Sequence, residues 1–103
     1  MSKKIKIATV SELPPGQYKS LEIGDERIAL FNIDGKFYAL KDMCTHDGGI
    51  LTGGTLRGYI IECPRHGAQF DVRTGAVVRL PAYVGVETYS VSVEGNDIFI
   101  SVE

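Results

Sequence analysis

The sequence predicts an all-β domain, either a small antiparallel sandwich or a barrel. Apolar and polar residues alternate along most of the 103-residue chain, which is the period of a half-buried strand. Gly-rich turns separate these short segments at regular intervals. No segment sustains the i, i+3, i+4, i+7 spacing of apolar residues long enough for a core helix. The length predicts a single domain, residues 1–103, with no room for a second core.

The first part of the chain predicts three strands and one short turn of helix. Residues 4–9 alternate between polar and apolar side chains, as a strand does. Residues 10–13 allow one helical turn, which ends before Pro14 because proline disfavours helix at the preceding residue. Residues 27–41 predict two strands that turn at Asp34-Gly35, the strongest hairpin signal in the chain.

The later part of the chain predicts further short strands. Residues 58–63 form a β-branched run that ends at a cysteine. Residues 68–78 predict two strands that turn at Arg73-Thr74-Gly75. Residues 89–102 predict a last hairpin, which turns at Glu94-Gly95-Asn96.

Residues 42–57 interrupt this alternation. Such a loop is long for a small domain, and long loops are usually functional. We therefore predict a β framework built from residues 1–41 and 74–103. Residues 42–73 are predicted to form a small lobe inserted into that framework. The glycines of the loop are Gly48, Gly49, Gly53 and Gly54.

Composition excludes several classes of function. The formal net charge of −2 and the absence of like-charge runs give no electrostatic footprint for nucleic acid. No segment approaches the roughly 20 apolar residues of a membrane span. The basic start, Lys3-Lys4-Ile5-Lys6, is not followed by the continuous apolar stretch of a signal peptide. We therefore expect a soluble, cytoplasmic monomer that binds neither nucleic acid nor membrane.

All of the cysteines and histidines lie in two short loops. Cys44 and His46 belong to the stretch CTHDGG, and Cys63 and His66 belong to CPRHGAQF. The spacing is Cys-x-His, sixteen intervening residues, then Cys-x-x-His. Two pairs on separate loops let four side chains converge from two directions. A disulfide between the two cysteines would leave the paired histidines unexplained, and a reducing cytosol disfavours it.

Two kinds of metal centre could use this ligand set. Zinc binds Cys and His tetrahedrally, but its structural sites usually begin with Cys-x(2–4)-Cys or end with His-x(3–5)-His. A two-iron, two-sulfide cluster with mixed ligands needs one iron held by both cysteines and the other by both histidines. If each loop gives one ligand to each iron, one Cys and one His per loop is the expected pattern. The spacing therefore favours the iron–sulfur cluster over zinc.

The two motifs carry a family resemblance that covers nearly the whole chain. Cys44-Thr45-His46 together with Cys63-Pro64-Arg65-His66-Gly67 resembles the Rieske iron–sulfur family. The resemblance implies a Rieske-like antiparallel fold with one [2Fe–2S] cluster bound in an inserted lobe. It also implies that Cys44 and Cys63 hold a buried iron, while His46 and His66 hold an outer iron near the surface.

The resemblance also separates branches of the family. The respiratory, membrane-anchored branch has an extra cysteine in each loop, where this chain has Gly49 and Arg65, so the disulfide of that branch cannot form. The same branch places a Ser and a Tyr hydroxyl near the cluster, where this chain has Ala68 and Phe70. Donors to sulfur stabilise the reduced cluster, so their loss predicts a midpoint in the lower part of the Rieske range of about −150 to +300 mV.

These features resemble a Rieske-type ferredoxin. In that branch a soluble ferredoxin carries single electrons from a flavin-dependent reductase to a terminal oxygenase, often a ring-hydroxylating dioxygenase, through transient contacts. The chain is expected to be a carrier and not an enzyme, because a cluster that uses both histidines leaves none for a two-His-one-carboxylate iron site. Two alternatives stay open: a small Rieske-like subunit of an assimilatory nitrite reductase, and a zinc-stabilised interaction module.

Residues beside the motifs have simpler expectations. Gly48, Gly49 and Gly67 could let the backbone approach the cluster, or could be ordinary turn glycines. Asp42 and Asp47 flank the first loop and are expected to be solvated, as is Arg65 beside the second histidine. Leu80-Pro81-Ala82 resembles the proline-containing segment that covers the cluster in the family, although a plain loop fits equally. The tyrosines are expected to be ordinary sheet residues: Tyr18, Tyr38, Tyr59, Tyr83 and Tyr89.

Overall fold

Short antiparallel strands make up most of the part of the chain that the structure describes. The computed structural model describes residues 3–43, 49, 51–64, 67–80, 82 and 84–102. These residues contain no α-helix, and one 3₁₀ turn at Val10–Glu12 replaces the predicted helical turn. The all-β prediction is therefore confirmed. The strands are β1 (Lys3–Thr9), β2 (Tyr18–Ile23), β3 (Glu26–Ile33), β4 (Lys36–Lys41), β5 (Thr55–Arg57), β6 (Ile60–Glu62), β7 (Gln69–Asp71), β8 (Val77–Arg79), β9 (Thr88–Tyr89), β10 (Val91–Glu94) and β11 (Asp97–Val102).

The strands form three antiparallel sheets. The outer sheet has the order β1-β11-β10, the central sheet β2-β3-β4-β9, and the lobe sheet β5-β6-β7-β8. The predicted boundary of the lobe at residue 73 stays a prediction, although the lobe sheet itself continues to Arg79. In the part of the chain that the structure describes, no helix is long and apolar enough to cross a bilayer.

The central sheet is covered on both faces. Alternate residues of β3 point in opposite directions, so Ala29 and Phe31 pack against the lobe sheet while Ile28 and Leu30 pack against the outer sheet. All four side chains are at most 1% exposed. Strand β3 therefore reads as a nearly continuous apolar run, which is typical of a strand buried on both sides.

The predicted hairpins are confirmed, and two of them differ in length from the prediction. The hairpin predicted over residues 68–78 has a longer connection, residues 72–76, than the predicted Arg73-Thr74-Gly75. Asp34 and Gly35 have φ angles of 53° and 88°, and a type I′ turn requires positive φ at both central positions. In the last hairpin Glu94 pairs with Asp97, so the turn contains only Gly95-Asn96 and is one residue shorter than predicted. The positive φ of 63° at Gly95 suits this tighter turn.

The predicted strand over residues 89–93 is divided between two sheets. Tyr89 pairs with Ala39 in the central sheet, whereas Val91 pairs with Ile100 in the outer sheet. Both side chains pack against the core between these two sheets. Apolar alternation therefore continues across Ser90, where the chain leaves one sheet for the other, and the sequence pattern does not reveal the change.

Candidate metal centre

One of the four predicted ligands lies among the described residues. Cys63 directly follows β6 and is 1% exposed, within the core that the central and lobe sheets share. The role of all four ligands stays a prediction. The other predicted site and flanking residues that lie outside the described residues are Cys44, His46, Asp47, Gly48, Arg65, His66, Pro81 and Tyr83.

The second loop closes on the backbone of Cys63. The Cys63 N–H donates to the Ala68 carbonyl at 2.7 Å, and the Gly67 N–H donates to the Cys63 carbonyl at 3.3 Å. Gly67 has a φ of +78°, which favours glycine because the left-handed region crowds a Cβ. These contacts fix the main chain of Cys63, and so the position from which its thiol projects.

Apolar side chains share the buried core with Cys63. Ala68 and Phe70 are both 0% exposed and belong to the same core as Cys63, as do Ile61 and Val72. The two positions that carry hydroxyl groups in the respiratory branch therefore offer only carbon here. The low midpoint potential of the cluster stays a prediction, and these two apolar side chains support it.

Asp42 closes the base of the first loop, so the expectation that it is solvated was wrong. It is 3% exposed and lies just after β4. Its carboxylate accepts hydrogen bonds from the backbone N–H groups of Leu51 and Thr52, at 2.7 and 2.9 Å, and from the Thr52 hydroxyl at 2.6 Å. The Ser20 hydroxyl of β2 donates to the same carboxylate at 2.8 Å. These donors satisfy the carboxylate without water, which allows its burial.

Tyr18 holds the end of the same loop. It is a strand residue, as predicted, and its hydroxyl also donates to the Gly54 carbonyl at 2.6 Å and accepts from the Gly53 N–H at 3.0 Å. The Tyr18 ring packs on Phe31 with the ring centroids 5.6 Å apart. The central sheet therefore fixes the position of the backbone at residues 53 and 54.

Gly54 brings the two loops together. A Cβ added at this position would lie 1.9 Å from the Glu62 carbonyl oxygen, in the residue that precedes Cys63. Only glycine allows such an approach of two backbones. The end of the first loop thus lies against the strand that leads into the second loop.

The sequence alone does not mark Asp42, Tyr18 or Gly54 as parts of the site. The contacts that place them in the site join residues 8 to 36 positions apart, so no local motif marks them. The one available signal was the run of loop glycines before β5, which indicates close backbone approach somewhere in that segment.

The described residues around Cys63 fit a cluster that is bound between two loops. A buried cysteine in an apolar pocket supplies a soft thiolate donor, which iron–sulfur clusters require. The two loops meet at Gly54 and Glu62, and each loop carries one cysteine and one histidine. This donor set matches the mixed ligation of a [2Fe–2S] cluster.

Comparison with known families decides the class of site. Residues 3–90 match the family model of the Rieske [2Fe-2S] domain. The chain belongs to the Rieske [2Fe-2S] domain family. The predicted cofactor, one Rieske-type [2Fe–2S] cluster, is therefore confirmed.

Members of the Rieske family that resemble this chain include ferredoxins of oxygenase systems. The ferredoxin component of biphenyl 2,3-dioxygenase from Rhodococcus jostii (strain RHA1) is 39% identical over 98 residues, which span 95% of this chain and 92% of the relative. The solved Sphingomonas yanoikuyae B1 ferredoxin shares 31% identity with a TM-score of 0.92, covering 98% of this chain and 100% of that chain.

A further solved structure contains both a ferredoxin and an oxygenase. A chain in the complex of reduced oxygenase and oxidised ferredoxin of carbazole 1,9a-dioxygenase shares 32% identity with a TM-score of 0.89. The match covers 95% of this chain and 92% of that chain. The Rieske-like antiparallel fold is therefore confirmed.

Proposed function

We propose that this chain is the ferredoxin component of a ring-hydroxylating dioxygenase system. It carries single electrons from a flavin-dependent reductase to a terminal oxygenase and catalyses no reaction itself. One observation carries the proposal: the chain spans 92% of the length of a relative that is the ferredoxin component of a dioxygenase, with 39% identity. The family match supplies the redox group, since a [2Fe–2S] cluster gains and loses one electron when bound.

The ligands are proposed to divide as two cysteines and two histidines. Cys44 and Cys63 hold the buried iron, and His46 and His66 hold the outer iron. The burial of Cys63, at 1% exposed, supports the assignment of the cysteines to the inner side. Cys63 shares its core with buried apolar side chains, as expected for the inner side of the site. The side of the site that carries the two histidines is then the side that contacts partner proteins.

The segment after β8 is suited to brief contact with those partners. Ala82 is fully buried in the same core as Cys63, while Leu80 and Val84 on either side of it are 61% and 66% exposed. The two exposed aliphatic side chains of this segment offer a small apolar contact area. Electron-transfer encounters use small, transient interfaces, so an extensive docking surface is not required.

The cytoplasm is the proposed location, and the monomer is the proposed state. Cysteine ligands must be thiolates and not a disulfide, and the reducing cytosol maintains that condition. The formal charge of −2 and the dispersed charges give no sign of a nucleic-acid or membrane partner.

A redox titration followed by EPR tests the proposed function. The purified protein is expected to show a reduced-state signal with the low average g value of mixed His and Cys ligation. Its midpoint is expected in the lower part of the Rieske range of about −150 to +300 mV. The absence of a signal, together with zinc in the metal analysis, would contradict the electron-transfer proposal.

Restoring a hydroxyl near the cluster is expected to raise the midpoint. The variants Ala68→Ser and Phe70→Tyr each add one donor at a position that carries a hydroxyl in the respiratory branch. A net hydrogen bond contributes about 1 kcal/mol. For one electron about 59 mV corresponds to a tenfold change in equilibrium constant, so a rise of roughly 40 mV per donor is expected.

Val72→Thr is the matched control for this experiment. Val72 is 1% exposed in the same core, and threonine adds a hydroxyl at nearly constant shape without a counterpart in the motif. Its midpoint is expected to remain at the wild-type value. Equal midpoints in all four proteins would show that the absent hydroxyls do not set the potential.

A further inference from the structure

Asp42 is a buried carboxylate, and the donors of its described hydrogen bonds are all neutral groups. The donors are two backbone N–H groups, from Leu51 and Thr52, and two hydroxyl groups, from Thr52 and Ser20. An apolar residue in this space would leave the buried N–H groups of Leu51 and Thr52 without their acceptor, and an unsatisfied buried donor costs free energy. The carboxylate therefore contributes something other than packing.

The hydrogen bonds of Asp42 join the two ends of one loop. Its own N–H donates to the Arg27 carbonyl at 2.8 Å, which fixes its main chain to β3. Its side chain reaches forward to Leu51 and Thr52 and closes residues 42–52 into a ring. The segment between these ends contains Cys44 and His46.

Strand β2 supports this closure from the central sheet. Tyr18 and Ser20 are two residues apart, so their side chains project from the same face of the strand. Ser20 donates to Asp42 at the base of the loop, and the Tyr18 hydroxyl binds the backbone at residues 53 and 54 beyond it. Both ends of the loop are thus hydrogen-bonded to the same strand, β2.

We infer that Asp42 is a positioning residue that holds the first cluster loop in its ligand-binding shape before and after the cluster is bound. The inference rests on the proposed function, since the loop is positioned for a cluster. A loop closed at its base loses less conformational freedom when its two ligands engage. Groups that orient ligands without touching the metal commonly change metal affinity by about 10- to 100-fold when removed.

The test compares Asp42→Ala with Asp42→Asn in the cluster-loaded protein. Asp42→Ala removes every side-chain acceptor of the ring, whereas asparagine keeps one oxygen for the backbone N–H groups of Leu51 and Thr52. The rate of cluster release to a chelator is followed by visible absorbance. Hydrogen–deuterium exchange of the peptide containing residues 51–54 is measured by mass spectrometry on the same samples.

Asn32→Ala is the matched control. Asn32 is also 3% exposed, and its side chain also joins two segments, donating to the Leu13 carbonyl at 2.8 Å and accepting from the Gly35 N–H at 2.9 Å. Its loss weakens the framework without touching the loop. Release rates are compared at equal distances below each variant's thermal midpoint, which removes the effect of global stability.

We expect Asp42→Ala to release the cluster about 10- to 100-fold faster than wild type, with loss of exchange protection at residues 51 and 52. Asp42→Asn should recover part of both properties, and Asn32→Ala should match wild type. Equal rates for Asp42→Ala and Asn32→Ala would overturn the inference. If Asp42→Ala does not fold, Thr52→Val removes the Thr52 hydroxyl donor at nearly constant shape. An unchanged rate of cluster release in Thr52→Val would then contradict the inferred role of the Asp42 hydrogen bonds.

The failure of the proposed function gives a different result. A protein that assembles no iron–sulfur cluster would contradict the electron-carrier proposal. Exchange at residues 51 and 52 would then still decide the inference about the ring. Unchanged protection in Asp42→Ala would overturn it, and lost protection would support it.

Discussion

Cys63→Ser is expected to abolish assembly of the [2Fe–2S] cluster. The substitution replaces a thiolate with a hydroxyl of similar size, and iron–sulfur clusters need soft thiolate ligands on the cysteine-bound iron. Cys63 is 1% exposed, so water cannot readily take the place of the missing sulfur from the solvent side. Iron and acid-labile sulfide content, visible absorbance and EPR of the reduced protein all measure the loss.

Ala68→Ser controls for the introduced hydroxyl. Ala68 is fully buried in the same core, and its carbonyl accepts the hydrogen bond from the Cys63 N–H at 2.7 Å. This variant should keep the cluster, whereas Cys63→Ser should lose it while retaining the far-UV circular dichroism of a β protein. Full iron content in Cys63→Ser would show that Cys63 is not a ligand.

The hairpins could be predicted from sequence because their determinants are local. Asp34-Gly35 places residues that tolerate positive φ between two apolar strands, and nothing distant is needed to specify that turn. Strand β5 could not be predicted in the same way. It has only three residues and follows Gly53-Gly54, so its pairing with β6 depends on where the lobe folds.

Strand β2 was missed for a different reason. Its apolar residues Leu21 and Ile23 face the outer sheet, while Tyr18 faces the lobe, so the two groups are out of phase along the strand. A strand that is covered on both faces loses the simple alternation by which it would be recognised. The turn that follows it, Gly24-Asp25, also has the reverse order of the strong hairpin dipeptide.

The chemistry of the site could be predicted from sequence, but its support could not. One cysteine and one histidine in each of two loops favour a mixed-ligand cluster over zinc because zinc sites usually have a different spacing. Asp42 was expected to be solvated because aspartate is rarely buried without partners. Its partners, Ser20, Leu51 and Thr52, are brought to it only by the folded arrangement of the central sheet and the loop.

Gly54→Ala is expected to destabilise the protein and loosen its hold on the cluster. The added Cβ would lie 1.9 Å from the Glu62 carbonyl oxygen and 3.1 Å from the Leu51 carbonyl oxygen. Both neighbours are backbone atoms, so the loop must move away from β6 as a unit. Overpacking of this kind costs about 1–3 kcal/mol, which a lower denaturant midpoint would report.

The displacement in Gly54→Ala has a functional consequence because of its direction. Moving residue 54 outward separates the first loop from β6, the strand that leads into Cys63. A site held about 1 Å too loosely commonly fails to bind its group. Gly24→Ala is the control, since Gly24 has a φ of +62° but no atom within 4 Å of an added Cβ. It should lower stability by about 1 kcal/mol through backbone strain alone and release its cluster at the wild-type rate. If Gly54→Ala released the cluster no faster than Gly24→Ala, the contact between residues 54 and 62 would be a feature of packing and not of the cluster site.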